Sequence, residues 1–305
     1  MKNSRLLVLV IAGLILSPLF MNAQIVVPDS TSKWRKKTML NLNVNQASFS
    51  SNWKGGGINS IGLNTMFDFK ADYKDEKQSW DNEIGFTYGF VKNSGQGFRK
   101  TLDRFFVDTK YGRSLNKKWD LFGSFNFASQ FYKGFKYADD GSEDADLISD
   151  FLAPAFVTVA LGVEYHPVEY FKMRISPFAP RLTLLRNNNG RFDAVDSIAP
   201  YGVEVGEDTR FEWFAFQLTA DFDKDIAQNL NLKFKYLMFA NYETLEGKTI
   251  DHRLDVMLNA KVNRFITVSL GGILLYDYDQ DDAVQLNQAF NLGFSYSIQN
   301  YVDKK

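Results

Sequence analysis

The sequence predicts an all-β protein: an antiparallel, up-and-down transmembrane β-barrel of about twelve strands. Three observations lead there. Between Thr38 and Ile298, apolar and polar residues alternate with a period of two in one segment after another. The links between those segments are tight and long by turns. The chain also opens like an exported protein, yet after its first 23 residues it has no apolar run long enough to cross a membrane as a helix. A barrel strand escapes that last test, because about ten residues suffice and only every second one must be apolar.

Residues 1–23 have the parts of a secretory signal peptide: Lys2 and Arg5, the apolar run from Leu6 to Phe20, and Asn22-Ala23 before Gln24 as the cleavage site. No cysteine follows or occurs anywhere, which removes a lipid anchor, disulfides and thiolate metal sites. Residues 24–37 form a periplasmic lead-in, with Lys33, Arg35, Lys36 and Lys37 clustered around Trp34. The 35 basic and 36 acidic side chains nearly cancel, so no basic excess points to nucleic acid.

The barrel is expected over residues 38–298, followed by a polar tail, 299–305. Leu40, Leu42 and Val44 open the series, and Ile61 to Tyr73 alternate with Asn64, Asp68, Lys70 and Asp72. Trp80, Ile84, Phe86, Tyr88 and Phe90 make the third strand, and Phe105, Val107, Thr109 and Tyr111 the fourth. The fifth runs from Trp119 through Phe127 to Phe131, the sixth from Val157 to Tyr165, and the seventh through Phe171, Met173 and Ile175. Phe214 to Phe222, Leu230 to Met238, Leu254 to Val262 and Ile266 to Tyr276 follow. The last strand sets Phe290, Leu292, Phe294, Tyr296 and Ile298 against small or polar neighbours. Its Asn291, Gly293, Tyr296 and Ile298 resemble the C-terminal insertion signal of outer-membrane barrels, which implies the barrel-assembly machinery as a partner. Tight links fall at 74–77, 116–118, 167–169, 223–229 and 263–264, and longer ones at 51–57, 92–102, 133–152, 187–210, 245–249 and 279–284. Short periplasmic turns and longer outer loops are the asymmetry of such barrels.

Alternation alone does not say which face is inside. Twelve strands with about five large apolar residues each would overfill a lumen, so the apolar face is expected outward, against lipid. Tyr73, Trp80, Tyr111, Trp119, Tyr165, Phe171, Phe222 and Tyr296 gather at the tight-turn end, as an interfacial girdle should. Tyr88, Phe90, Phe131, Tyr242, Tyr276 and Tyr278 mark the other interface. The opposite face supplies the lumen candidates: Asp68, Lys70, Asp81, Glu83, Arg104, Asp108, Lys110, Lys172, Arg174, Lys233, Lys235, Arg253, Asp255 and Lys261. Such a mixture reads either as cross-strand ion pairs bracing the lumen or as the lining of a solute-selective pore.

The stretch 51–60, with Asn52, Trp53, Gly55, Gly56, Gly57 and Asn59-Ser60, follows Gln46 to Phe49. Together they resemble the N-terminal motif of an outer-membrane barrel family of the Bacteroidota, the domain of unknown function DUF3078. The family carries no established activity, so the resemblance implies a barrel and transfers no catalytic residue. Physically, the glycines suit a hairpin tip that Trp53 anchors at the interface.

Chemistry is sparse. The acidic loop with Asp139, Asp140, Glu143, Asp144, Asp146 and Asp150 does not spell a calcium loop, because Gly141 at the sixth position would put Lys136 and Ala138 where carboxylates belong. No metal site and no cofactor is expected. His166 lies at a tight turn and His252 at the far end with the outward parity of Leu254, while Asp251 turns inward. Two histidines so placed cannot share a catalytic site, so no enzyme is expected. The reading is an outer-membrane barrel for passive transport of small solutes. Its alternatives are a structural or assembly subunit of an envelope complex with a plugged lumen and, further off, a barrel lipase or protease.

Overall fold

The computed structural model describes residues 24–26, 32–50, 58–137, 145–263 and 265–301. Residues 1–23, the Asn52-Trp53 and Gly55 to Gly57 motif, and most of the acidic loop, Asp139, Asp140, Glu143 and Asp144, lie outside them. In chain order the strands are β1 (Gln24–Val26), β2 (Trp34–Ala47), β3 (Ser60–Lys74), β4 (Gln78–Asn93), β5 (Phe98–Ser114) and β6 (Trp119–Ser129). Then come β7 (Gly134–Tyr137), β8 (Ala145–Ser149), β9 (Ala155–Val168), β10 (Phe171–Phe178), β11 (Arg181–Leu184) and β12 (Thr209–Glu212). The chain ends with β13 (Ala215–Ala227), β14 (Leu230–Asn241), β15 (Asp251–Lys261), β16 (Ile266–Asp277) and β17 (Asp281–Gln299).

Twelve of these close into a barrel in the order β2-β3-β4-β5-β6-β9-β10-β13-β14-β15-β16-β17, each antiparallel to its neighbours. The seam is β17 on β2, with Phe294 opposite Leu42 and Tyr296 opposite Leu40. Closure leaves neither strand with an open edge along the paired stretch. Gly293 is required at this seam, because the Asn43 side chain occupies the space where a Cβ would stand. Beyond the end of β16, the edge of β17 is met by β1, which pairs in parallel with Ser297 to Gln299.

The registers stack like residues into rows. Trp34, Tyr73, Trp80 and Tyr111 are successive cross-strand partners at the tight-turn end. Lys70, Glu83, Asp108, Asn126 and Thr158 form a row on the opposite face. Phe290 and Leu286 are each 67% exposed, whereas Lys110 and Glu164 are 1% and 2% exposed. A soluble sheet would reverse this. A closed barrel with its aliphatic and aromatic face outward and its charges enclosed is the transmembrane form of the fold.

The structure departs from the sequence reading at several strand ends. β2 begins at Trp34, so part of the lead-in is barrel wall. β4 and β5 run to Asn93 and Phe98, leaving only residues 94–97 as a turn where a link of 92–102 was expected. β13 continues to Ala227 and β17 starts at Asp281, shortening two more links. Alternation reports where the apolar band ends, but ladder hydrogen bonds need no apolar side chain and carry the hairpins beyond it. Conversely, β6 stops at Ser129, and Phe131 leaves the strand to pack on Phe86 and Phe151 at 6.0 and 5.8 Å. Aromatic rings also occur inside: Phe122 and Phe239 are 4% and 3% exposed, on the parity of the inward charges.

Candidate functional site

Among the described residues, polar chemistry is concentrated on the inner face of the barrel. The expected candidates Asp68, Lys70, Asp81, Glu83, Arg104, Asp108, Lys110, Lys172, Arg174, Lys233, Lys235, Arg253, Asp255 and Lys261 all fall on the inward parity of their strands.

In the tight-turn half they form a linked network. Lys110 on β5 reaches Asp81 on β4 at 2.9 Å and both Glu164 oxygens on β9 at 2.7 and 2.8 Å. Arg174 on β10 joins Glu164 at 3.0 Å to Asp108 at 3.5 Å, and Lys172 approaches Asp81 at 3.7 Å. Lys70 pairs with Glu83, Lys233 with Asp223 and Arg253 with Asp255, at 3.2, 2.9 and 2.7 Å. Each pair sets a cation against an anion, across adjacent strands for Lys70–Glu83, Lys110–Asp81 and Lys233–Asp223 and within β15 for Arg253–Asp255, and such pairing lets a wet lumen hold charge. The side chains of Lys70, Lys172, Lys233 and Lys235 remain 39–44% exposed on this inner surface, so the half-lumen is accessible to water.

In the long-loop half a second set, which the sequence reading did not single out, gathers on the inner face. Arg181 on β11 donates to Glu212 on β12 at 2.7 Å and to Asp251 on β15 at 3.0 Å, and its guanidinium lies 3.6 Å from the centre of the Phe239 ring. Arg210 donates to Asp279 at 2.6 Å and approaches Glu212 at 3.6 Å. Arg181 and Glu212 are register partners on the adjacent strands β11 and β12, whereas Arg181–Asp251 and Arg210–Asp279 reach segments not paired with those strands. Above them, residues 185–208 fold over the rim, burying Leu185, Phe192 and Val203 against Ala153. Arg191 fastens this loop to Asp150 at 2.7 Å, and the Tyr201 hydroxyl donates to the Ile148 carbonyl at 2.6 Å. Burial works against ionisation of Asp150, yet the Arg191 guanidinium and the Phe151 N–H hold its carboxyl below the ordinary value. Burial, with the Asp277 charge adding to it, pushes the Tyr201 hydroxyl up.

Glu164, Glu212 and Arg210 escaped the sequence reading for different reasons. Glu164 was readable, since it shares the parity of Thr158 and Ala160, but a single acid in an apolar strand carries little periodic signal. Arg210 and Glu212 sit beyond the apolar band, where alternation fades. Asp251 lies inward, as its parity implied, and His252 lies on the outer face with its Nδ1 2.8 Å from the Tyr236 hydroxyl. Asn291, Gly293, Tyr296 and Ile298, expected as an insertion signal, occupy the closing strand, where the Asn64 amide donates to Asn291 at 3.3 Å.

Residues 44–135 match the model of a family described as protein of unknown function, DUF3078. No curated protein matches the chain. Among solved structures, the translocator domain of the autotransporter NalP from Neisseria meningitidis is 10% identical with a TM-score of 0.39, over 97% of this chain and 94% of that one. The COG4313 outer membrane channel from Pseudomonas putida F1 is 10% identical with a TM-score of 0.39, over 87% and 95%. The CymD monoaromatic hydrocarbon channel is 10% identical with a TM-score of 0.32, over 87% of each chain.

Proposed function

We propose that this protein resides in the outer membrane and passes small solutes through its lumen. The observation that carries this reading is the inversion of the barrel: exposed apolar residues girdle the outside, while water-accessible lysines and their acidic partners line the inside. An apolar band of this kind is stable only against lipid, and strands of this sort enter an outer membrane through the barrel-assembly machinery, to which the Asn291 to Ile298 segment would be presented. Membership of the whole chain in the DUF3078 family is part of the proposal. Solutes would meet the Lys233 and Lys235 half-lumen from the periplasmic side and the Arg181 contacts toward the long-loop end.

A second reading, a plugged scaffold within an envelope complex, draws on those same contacts, because Arg181 and Arg210 tie β11 and β12 to Asp251 on β15 and to Asp279 after β16. One bilayer experiment separates the two. A pore conducts as wild type, with an ion selectivity shifted by Lys233→Glu and Lys235→Glu. A plugged scaffold is silent as wild type and conducts only when Arg181→Ala and Arg210→Ala are combined. Recovery of the protein from the soluble periplasmic fraction would sink both.

A further inference from the structure

We propose that the tight-turn mouth of the lumen holds a divalent transition-metal site, of the Zn2+ type, on His166 and Asp120 with Glu164 as third ligand. Among the described residues these three form the one group of His, Cys, Asp or Glu whose ligand atoms converge, all within 4.8 Å of one another. Asp120 on β6 is the register partner of Glu164 on β9, and His166 follows two residues later on the same inward face. No spacing motif announces the set, because the register of β6 against β9 brings Asp120 to Glu164 and His166.

His166 Nε2 stands 3.2 Å from Asp120 Oδ2, yet the two make no hydrogen bond of acceptable geometry, and both Nε2 and Asp120 Oδ1 are buried without a partner. Asp120 is 9% exposed, so these are polar atoms withdrawn from bulk water. Two donors that each lie about 2.0–2.2 Å from a tetrahedral ion stand about 3.3–3.5 Å apart, close to the spacing here. The Ser79 hydroxyl packs beside them. A Cβ on Gly112 of β5 would lie 2.7 Å from Ser79 Oγ and 3.9 Å from Asp120 Oδ2, and that hydroxyl, on a residue 9% exposed, is also buried without a partner. Orphaned polar atoms on His166 and Asp120 are what a ligated cation satisfies, and the Ser79 hydroxyl is a third unpartnered group, next to Gly112.

Charge sets the ligand order. Lys110 donates to both Glu164 oxygens and Arg174 to one, which uses three of the roughly four lone-pair positions of a carboxylate. Glu164 therefore offers a single remaining position on Oε1, while His166 and Asp120 are the principal ligands, with the Ser79 hydroxyl or water completing the shell. A nitrogen and carboxylate set suits zinc or its neighbours better than calcium or magnesium, which take oxygen alone. The His166 side chain is 19% exposed, which gives the ion a path from the mouth. The site is independent of whether the barrel conducts.

The test uses the purified full-length barrel in detergent, stripped with a chelator and titrated with ZnCl2 in a calorimeter, with Co2+ absorption as a coordination signature. One ion per chain is expected. His166→Ala and Asp120→Asn should weaken binding by about tenfold or more. Gly112→Ala, whose methyl group would displace the Ser79 hydroxyl beside Asp120 while keeping His166, Asp120 and Glu164, should weaken it as well, and His252→Ala should leave it unchanged. Heat-modifiable migration on a gel shows that each variant is folded, and Gly112→Ala decides the matter should a ligand variant fail to fold. Binding by the wild type no tighter than by His166→Ala, or equal binding by Gly112→Ala, would overturn the site in favour of a plain histidine–aspartate contact.

Discussion

Lys110 on β5 donates to both carboxylate oxygens of Glu164 on β9, two strands away across β6, and neither side chain has more than 2% of its surface exposed. The pair is enclosed with Asp81 and Arg174, so each charge depends on the others for the solvation it has lost. Removing one member strands its partners. Lys110→Ala should cost about 3–5 kcal/mol. The double variant Lys110→Met with Glu164→Gln should recover part of that, showing a coupling on the order of 0.5–3 kcal/mol. The heat-modification midpoint of each variant measures both, and strictly additive losses would mean that the network is not coupled.

Gly162 on β9 faces the irregular stretch of β10 between Ile175 and Phe178. A Cβ there would meet the Ile175 carbonyl and the Ser176 Cα, both backbone, so no rotamer can relieve it. At Gly123 the nearest atom is Leu161 Cδ2 at 3.2 Å, the end of a flexible side chain. Gly162→Ala should therefore reduce the folded fraction sharply and Gly123→Ala only slightly, as read by gel shift after insertion into detergent or lipid. Equal behaviour would show that β10 can move away from β9.

These two glycines also mark how far the sequence could be read. Both stand in strands whose existence and facing follow from period-two alternation, which is a local property and survives in a single chain. Strand number and the shared parity of Asp81, Lys110 and Arg174 were legible for that reason, whereas Glu164, the partner they enclose, was not singled out. The Arg181, Glu212 and Asp251 contacts were not legible, because their members lie up to 70 residues apart and meet only through the bend between β10 and β11. The convergence of Asp120 with His166 was hidden likewise, since it depends on the register of β6 against β9 and not on either strand alone.

Asp75 closes the turn between β3 and β4, accepting the Lys77 and Gln78 N–H groups, each at 2.9 Å, and the Tyr73 hydroxyl at 3.0 Å. The Lys77 N–H foremost, with the other donors, holds its carboxyl down to about 2. A carboxyl held low in the folded state contributes stability above its unfolded value of about 3.9 and loses that contribution as pH falls through the folded value. The gap in thermal midpoint between wild type and Asp75→Ala should be widest above about pH 5 and close toward about pH 2. A gap that stays constant across that range would assign the effect to the turn backbone and not to the charge.

Phe290 and Asn291 are adjacent on β17 and test the inside–outside assignment at a single level of the wall. Phe290 is 67% exposed opposite Leu270, while Asn291 accepts from Asn64 within the lumen. An arginine at Phe290 would sit among lipid chains, at a cost of roughly 2–4 kcal/mol if that level is the bilayer midplane. At Asn291 the same side chain would extend into a lumen already built to hold guanidinium and ammonium groups. Membrane levels and heat-modifiable protein should therefore fall markedly for Phe290→Arg and little for Asn291→Arg. The reverse order would turn the barrel inside out, and with it every lumen residue named above.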